Sequence, residues 1–217
     1  MSTLNKIVGT QGRRLFIVGL SLSSLFACSL LRPTATPATV YYSLDSARLA
    51  APAPPLTDAS PAATTPTLII NPPRAAAGFD SPRIVYLREA HKLDHFAHSQ
   101  WIDPPARMLG ALLVAAIENR GVFRAVVLTP GGTSGELRLD TEIIRLQHEF
   151  QSTPSQVRFT LRAYLVDEKT RRVLAWREFE ALAPAISEDA YGGVVAANHV
   201  VQTVLKELSQ FLAERQQ

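Results

Sequence analysis

Three histidines and one carboxylate lie close together near the middle of the chain, at His91, Asp94, His95 and His98. Imidazole nitrogens and carboxylate oxygens are common ligands of transition metals. A helix would place the three histidines on one face, whereas an extended strand would not. Because the segment follows a strand pattern and precedes a helix start, the sequence favours histidines that are solvated or packed in a hairpin. We predict no metal site here.

A serine in a glycine-rich loop, Ser134, is the second candidate for chemistry. The surrounding residues Gly132–Gly135 lack the G-x-S-x-G spacing of a nucleophile elbow. No Lys-Ser or Lys-Thr pair follows the glycines, as a phosphate-binding loop would require. The segment is therefore predicted to be an ordinary loop, and the sequence predicts no catalytic residues, no cofactor and no enzymatic activity.

The chain begins with the pattern of a secretory signal peptide, predicted over positions 1–27. The basic residues Lys6, Arg13 and Arg14 precede the apolar stretch Leu15–Ala27. A membrane-spanning helix needs a longer apolar stretch, roughly 18–20 residues, which makes an anchor helix the weaker alternative. The pair Arg13–Arg14 also partly resembles a twin-arginine export signal, although the general secretory route is favoured because nothing downstream suggests a cofactor inserted before export.

The segment Leu25-Phe26-Ala27-Cys28 resembles the lipobox of bacterial lipoproteins, and Cys28 is the only cysteine in the chain. A small residue before the cysteine fits the signal peptidase, and the thiol accepts a diacylglycerol. We therefore predict that Cys28 is the lipidation site; the alternative is a buried structural cysteine. Ser29 stands where an aspartate retains many lipoproteins in the inner membrane, so this resemblance implies the outer membrane, facing the periplasm.

Signal cleavage changes the charge of the protein. The full chain has 22 Lys and Arg against 19 Asp and Glu, and the signal carries three of the basic residues and no acidic one. The mature chain is therefore close to neutral. This argues against nucleic acid as a partner, because nucleic-acid binding relies on an excess of positive charge.

Proline content divides the mature chain. Ten of the 15 prolines lie between Pro33 and Pro82, so this part is predicted to be extended and unable to build a core. Residues 28–39 are predicted to form a tether, and the part after Cys28, residues 29–39, spans about 34 Å at most at about 3.1 Å per residue. A folded domain is predicted over residues 40–217, with short strands at Val40–Leu44 and Thr67–Asn71 and a loop over residues 45–66.

A strand, a buried tryptophan and a helix are predicted between Arg83 and Gly121. The strand is indicated by the β-branched and aromatic residues after Arg83, and Trp101 is predicted to anchor the helix in the core. Asp103 is expected to cap the helix, and Gly121 fits the left-handed position beyond its end. Apolar residues recur at helical spacing, at Met108, Leu109, Leu112, Leu113, Ala116 and Ile117.

The second half of the domain is predicted to contain long antiparallel strands. A strand over 136–150 changes its alternation near Ile144, which indicates a β-bulge. A hairpin follows, with its turn at Asp167–Thr170 and one inward row of side chains: Val157, Phe159, Leu161, Ala163 and Leu165.

A final amphipathic helix is predicted to begin near Ser187, with Gly192 and Gly193 allowing close packing on the sheet. Its apolar stripe comprises Val194, Ala197, Val201, Val204, Leu205, Leu208 and Leu212. The predicted fold class is therefore α+β, a mainly antiparallel sheet covered by two amphipathic helices after a signal peptide and a tether rich in proline and alanine.

The outward row of the predicted hairpin carries Arg158, Arg162 and Tyr164. These residues, together with His98, are the candidate partner-binding residues. The row could bind a protein or anionic lipid headgroups. The alternative, which the pattern favours, is an ordinary solvated face, since one face of an antiparallel sheet is usually wet.

The chain resembles the ABC-type transport auxiliary lipoprotein family, which includes the PqiC-like proteins. The resemblance covers nearly all of the mature chain and is carried by Cys28, Tyr41–Leu44, Pro82–Arg88, Leu93–Phe96, Trp101 and Pro104. It implies a non-enzymatic lipoprotein that works with an ABC permease, an ATPase and an Mce-domain (MlaD-like) protein to move lipids or hydrophobic compounds between membranes.

Two hypotheses about function follow. The first is a lipid-anchored adaptor of such a transport system, and the second is a periplasmic lipoprotein that itself binds a small apolar ligand. A cavity beneath the helices would favour ligand binding, whereas a filled core with an exposed patch would favour the adaptor. A homo-oligomer is left open.

Overall fold

The computed structural model describes residues 37–45, 65–131 and 134–215 of the 217-residue chain. The predicted signal peptide, Cys28 and nearly all of the predicted 45–66 loop lie outside the described residues. The folded unit spans Thr39–Gln217. Its described elements are β1 (Val40–Tyr42), β2 (Thr67–Ile70), β3 (Arg74–Ala75), β4 (Arg83–Glu89), β5 (Lys92–Trp101), α1 (Pro105–Glu118), β6 (Ala125–Leu128), β7 (Leu137–Glu149), β8 (Gln156–Asp167), β9 (Val173–Pro184) and α2 (Ala190–Glu214).

Strand β7 organises the sheet. On one side it pairs along its length with β8, which pairs with β9, and both pairings are antiparallel. On its other side it pairs in turn with β2, β3 and β4, all parallel. Strand β2 continues to β6, and β4 continues through β5 to β1. The predicted α+β class is confirmed, with short parallel pairings joining the long antiparallel strands.

The β7–β8–β9 meander follows the predicted alternation. The inward row of β8 is buried against the helices, and Phe159 and Leu161 are completely inaccessible to solvent. The pairing of β7 with β8 shifts register between Ile143 and Arg145, which confirms the bulge. One apolar cluster joins the inner face of the sheet to both helices, and it includes Trp101.

Helix α1 starts without the expected cap. The N-cap is Pro104, which makes no side-chain cap hydrogen bond. The Asp103 carboxylate instead pairs with the Arg107 guanidinium, with Nη1 and Oδ1 3.1 Å apart. The prediction of Asp103 as the cap was therefore wrong, because Pro104 and Pro105 move the helix start one residue along. Gly121 is left-handed as predicted, with φ of 64°, two residues beyond the C-cap Asn119.

Helix α2 begins three residues later than predicted. Asp189 is its N-cap, and the carboxylate accepts a hydrogen bond from the Gly192 N–H at 2.8 Å. Ser187 and Glu188 precede the helix because the Ser187 hydroxyl donates to the Asp189 carboxylate and Glu188 accepts from the Ser155 N–H. The predicted apolar stripe is confirmed, since all seven of its residues are buried.

Two strands and one boundary were not anticipated. Strand β3 has only two residues, and β5 covers the histidine-rich segment, whose polar side chains lack the alternation of a half-buried strand. The sequence also predicts a strand over Val122–Leu128, but β6 begins at Ala125, because Phe123 turns into the core and the Arg124 N–H donates to the Pro66 carbonyl.

Gly193 lets α2 approach β7 closely, as predicted. A Cβ on Gly193 would lie 2.5 Å from Nδ1 of the buried His148 ring. We expect Gly193→Ala to destabilise the protein by about 1–3 kcal/mol through this overlap, even though alanine is the better helix former by about 1 kcal/mol. Chemical denaturation measures this.

Gly110 supplies the matched control. It is also a buried helical glycine, but its added Cβ would meet the tip of the Leu128 side chain at 3.2 Å. That side chain is partly exposed and can move, so Gly110→Ala is expected to be neutral or slightly stabilising. Equal effects of the two substitutions would contradict the packing described for Gly193.

Candidate partner-binding surface

The outward side chains of β7, β8 and β9 form a polar face on the side of the sheet away from the helices, called the outer face below. Arg158, near the start of β8, links the two neighbouring strands: Nε donates to Glu149 at 2.8 Å and Nη1 donates to Glu180 at 2.7 Å. Burial alone would raise the pKa of Glu149, but hydrogen bonds from Arg158 and Gln147 outweigh it and lower that pKa. The hydrogen bond to Glu149 raises the pKa of Arg158.

A second cross-strand pair lies further along β8. Arg162 donates from Nη2 to Glu178 at 2.9 Å, and this hydrogen bond raises the pKa of Arg162. The two predicted arginines are therefore matched by glutamates. The face is charge-balanced, with each guanidinium held in place by its partner.

Tyr164 and Trp176 add an aromatic pair next to Arg162. Their ring centroids are 6.4 Å apart with planes 29° from parallel. Trp176 is 62% exposed, and Val173 and Leu174 on the same strand are each 55% exposed. An exposed tryptophan supported by a second ring and next to an ordered arginine has the composition of a binding hot spot.

The sequence contained a signal for Trp176 that the prediction did not use. Phe179 is buried and lies three residues further along β9. Residues three apart on a strand point to opposite faces, so a buried Phe179 places Trp176 outside.

Of the four predicted residues, the structure brings three together. Arg158, Arg162 and Tyr164 share one face of β8, as predicted from the alternation. His98 is exposed on β5, and strands β4 and β7 lie between β5 and β8. Binding of a partner or of anionic headgroups by these residues stays a prediction.

The histidine-rich segment forms the β4–β5 hairpin. His91 occupies its turn with φ of 66°, and His95 and His98 follow on β5. His95 Nδ1 lies 3.8 Å from the Asp94 carboxylate. Within residues 37–45, 65–131 and 134–215, no group of three or more His, Cys, Asp or Glu side chains is placed to hold a metal ion.

A buried histidine, His148, lies under the first turn of α2. Its Nε2 is 2.7 Å from the Ser155 hydroxyl, and the Ser155 N–H donates to Glu188 at 2.9 Å. The trio has the residue types of a hydrolytic triad, but Ser155 is inaccessible to solvent. Nδ1 of His148 has no hydrogen-bond partner among the described residues. The arrangement therefore fits a structural contact between sheet and helix.

His148 makes a prediction about acid stability. Burial lowers its pKa, against the opposing effect of the Glu188 and Asp189 carboxylates. The ordinary pKa of histidine is 6.5, so at pH values below about 6.5 the unfolded chain binds more protons than the folded chain. The free energy of unfolding therefore falls as the pH drops through about 6.5. The urea midpoint is expected to fall between about pH 8 and pH 5.5.

Two variants isolate the contribution of His148. His148→Gln is expected to flatten this pH dependence, whatever it does to stability at neutral pH. His199→Gln, which changes an exposed residue of α2, should retain it. A wild-type slope in His148→Gln would mean that other groups cause the acid sensitivity.

The space available to a small ligand lies on the surface. Beneath the first turns of α2, a cavity between Trp101, Leu146 and Ala197 measures only about 10 Å³. A larger and mainly apolar groove of about 590 Å³ runs between the start of α1 and the chain around Pro73 and Leu128.

Among the described residues, no helix is long and apolar enough to cross a membrane.

Comparisons with known proteins agree with this fold. A crystal structure of protein XCC0632 from Xanthomonas campestris superposes with a TM-score of 0.67 at 24% identity, covering 81% of this chain and 95% of that one. A second crystal structure, of an uncharacterised protein, gives a TM-score of 0.59 at 13% identity over 82% and 99% of the two chains. At these identities both show the fold alone. No curated protein sequence matches the chain.

The family model for the ABC-type transport auxiliary lipoprotein component matches residues 48–211. This range contains α1, all of α2 except its last three residues, and every described strand except β1, and it covers more than half of the chain. The resemblance noted from the sequence is thereby confirmed, and it indicates a membrane-anchored lipoprotein located in the periplasm. The chain belongs to the family of ABC-type transport auxiliary lipoprotein components.

Proposed function

We propose that the protein is a non-enzymatic adaptor, which binds a component of an ABC transport system through its outer face. The observation that carries this proposal is the exposed Trp176, stacked on Tyr164 and lying beside the ordered Arg162–Glu178 pair. The side chains are held on a sheet whose other face is buried, so little ordering is needed when a partner binds. Family membership supports a transporter as that partner.

The partner is expected to be an Mce-domain (MlaD-like) protein associated with an ABC permease and its ATPase. In this proposal the lipoprotein is anchored in the outer membrane, facing the periplasm, and the system moves lipids or hydrophobic compounds between membranes. The sequence resemblance supports these finer assignments. No nucleic acid is expected to bind, and homo-oligomerisation stays a prediction.

The anchor limits where the domain can search for a partner. With a lipid on Cys28 and a tether reaching about 34 Å at most, the domain stays in a thin layer beside the membrane. Confinement of this kind raises its effective concentration for proteins that enter the layer.

Cys28→Ser tests the anchor. The variant is expected to lose all incorporation of labelled fatty acid and to leave the membrane fraction or remain an uncleaved precursor. Conservative replacement of the neighbouring Ser29 by threonine is the control and should change neither property. Continued acylation of Cys28→Ser would refute Cys28 as the lipidation site.

Purification from detergent-solubilised membranes tests the adaptor function. The full-length lipoprotein, tagged at its carboxyl end, is expected to co-purify with an Mce-domain protein, a permease and an ATPase. Recovery of the lipoprotein without any transporter component, together with unchanged membrane permeability after deletion, would contradict the proposal.

The groove beside α1 supports a second candidate function, binding of a small apolar ligand. Its apolar lining includes Pro73, Gly110 and Leu128, and its volume is about 590 Å³, within the range typical of ligand pockets. Native mass spectrometry of protein purified from cells would show a bound lipid in this case. Loss of that lipid in Gly110→Leu, which fills the groove, would favour this candidate over the adaptor.

A further inference from the structure

Large apolar and aromatic side chains are exposed at the edge of the sheet formed by β1. They are Tyr41 at 58%, Ile102 at 62% and Tyr191 at 56%, with Val40 next to them at 48%. These four residues are called the β1 rim below. They come from a strand, from the residue after β5 and from the first turn of α2.

Backbone and ring contacts bring together the three segments that carry the β1 rim. Strand β1 runs parallel to the end of β5, with Tyr42 opposite Trp101. The Ile102 N–H then donates to the Tyr42 carbonyl at 2.7 Å, which places Ile102 beside the end of β1. The Tyr42 and Tyr191 rings are 6.5 Å apart, which places the start of α2 at the same edge.

The position of β1 in the chain specifies what this edge meets. Only the predicted tether separates Val40 from Cys28, and β1 is the first described element after that tether. In a lipid-anchored protein the β1 edge is therefore the part of the sheet closest along the chain to the bilayer. A second cluster of exposed apolar side chains, around Leu174 and Trp176, lies at the start of β9, which is the described strand furthest along the chain from Cys28.

The chemistry of the β1 rim suits a bilayer interface with neutral headgroups. Tyrosine has an apolar ring and a polar hydroxyl, which is why it concentrates at membrane–water boundaries. The neighbouring charges have partners in the protein: Asp103 pairs with Arg107, and Asp189 caps α2. No excess of basic residues is present in the described rim to select anionic lipids.

We infer that the β1 rim contacts the membrane in which the lipid is anchored and inserts its side chains into the headgroup region. This inference rests on the proposed lipidation of Cys28. It adds a defined orientation: the β1 edge faces the bilayer, and the outer face around Trp176 is left accessible to a partner.

Site-specific fluorescence quenching tests this orientation. Ile102→Cys and, as a control of similar exposure, Leu174→Cys are introduced into the acylated full-length protein and labelled with bimane. The native Cys28 thiol is blocked by its lipid. The protein is reconstituted into phosphatidylcholine–phosphatidylethanolamine vesicles with and without brominated acyl chains, and vesicle flotation is measured in parallel.

The label at Ile102 is expected to lose about half of its emission in brominated vesicles, as a side chain about 5–10 Å into the interface would. The label at Leu174 should be nearly unchanged. Adding Tyr41→Ser and Tyr191→Ser to Ile102→Cys should weaken the quenching.

Three outcomes would overturn the inference. Protein that floats with the vesicles but shows no quenching at Ile102 would refute membrane contact while leaving the anchor in place. Equal quenching at both sites would refute a preferred edge. Acylated protein that does not float with the vesicles would refute membrane anchoring through Cys28. It would also refute the membrane contact of the β1 rim, which depends on that anchor.

Discussion

Leu112→Ala is expected to lower the free energy of unfolding by about 2–5 kcal/mol. Leu112 is 3% exposed on the inner side of α1, and Leu109 lies one turn before it on the same side. The substitution removes buried apolar surface and leaves a cavity that helix and sheet close only in part. Urea or guanidinium denaturation monitored by circular dichroism measures the loss.

An exposed leucine provides the control for this prediction. Leu174 is 55% exposed on β9, so Leu174→Ala should change the unfolding free energy by no more than about 0.5 kcal/mol. An unchanged midpoint in Leu112→Ala would show that α1 presents a different side to the core.

Trp176→Ala is expected to weaken binding of the transporter partner by about 2–4 kcal/mol, which is roughly 30- to 1,000-fold in Kd. The indole contributes a large exposed surface whose position is already limited by Tyr164. Because the side chain is mostly outside the core, the stability of the variant should stay near that of the wild type. Biolayer interferometry with the co-purified partner measures the affinity.

The control for Trp176 is a second exposed aromatic residue away from the outer face. Tyr191 is 56% exposed in the first turn of α2, and Tyr191→Ala should leave the affinity in solution unchanged. A similar loss of partner affinity in Trp176→Ala and Tyr191→Ala would show that removing any exposed aromatic side chain weakens binding, and not Trp176 specifically. Wild-type affinity in Trp176→Ala would exclude this residue from the interface.

Some elements of the fold could be predicted from the sequence and others could not, and the difference has physical reasons. Strand β8 alternates cleanly because one face is buried and the other is wet, so its inward row could be read directly. Strand β5 could not, because most of its residues are exposed, including consecutive ones on both faces, and such a strand has no alternation. The shift of the α1 cap from Asp103 to Pro104 follows from the two prolines, which move the helix start one residue along and leave the Asp103 carboxylate to pair with Arg107.

The candidate surface was predicted only in part for a similar reason. Alternation alone placed Arg158, Arg162 and Tyr164 on one face. It could not show that glutamates from neighbouring strands balance the arginines, because strand register depends on the whole sheet. The contribution of Trp176 depends on its pairing opposite Tyr164, which becomes visible only when the β8–β9 register is known.

Photocrosslinking in cells tests the central claim, that the outer face binds the transporter. A photoreactive amino acid is placed at Arg162, Tyr164 or Trp176, and at His98 to test the remaining predicted residue. A further position, Glu207 on the exposed side of α2, is the control. The proposal predicts crosslinks to an Mce-domain or permease subunit from the outer face and none from Glu207. Absence of any transporter crosslink from every outer-face position, with the protein correctly anchored, would contradict it.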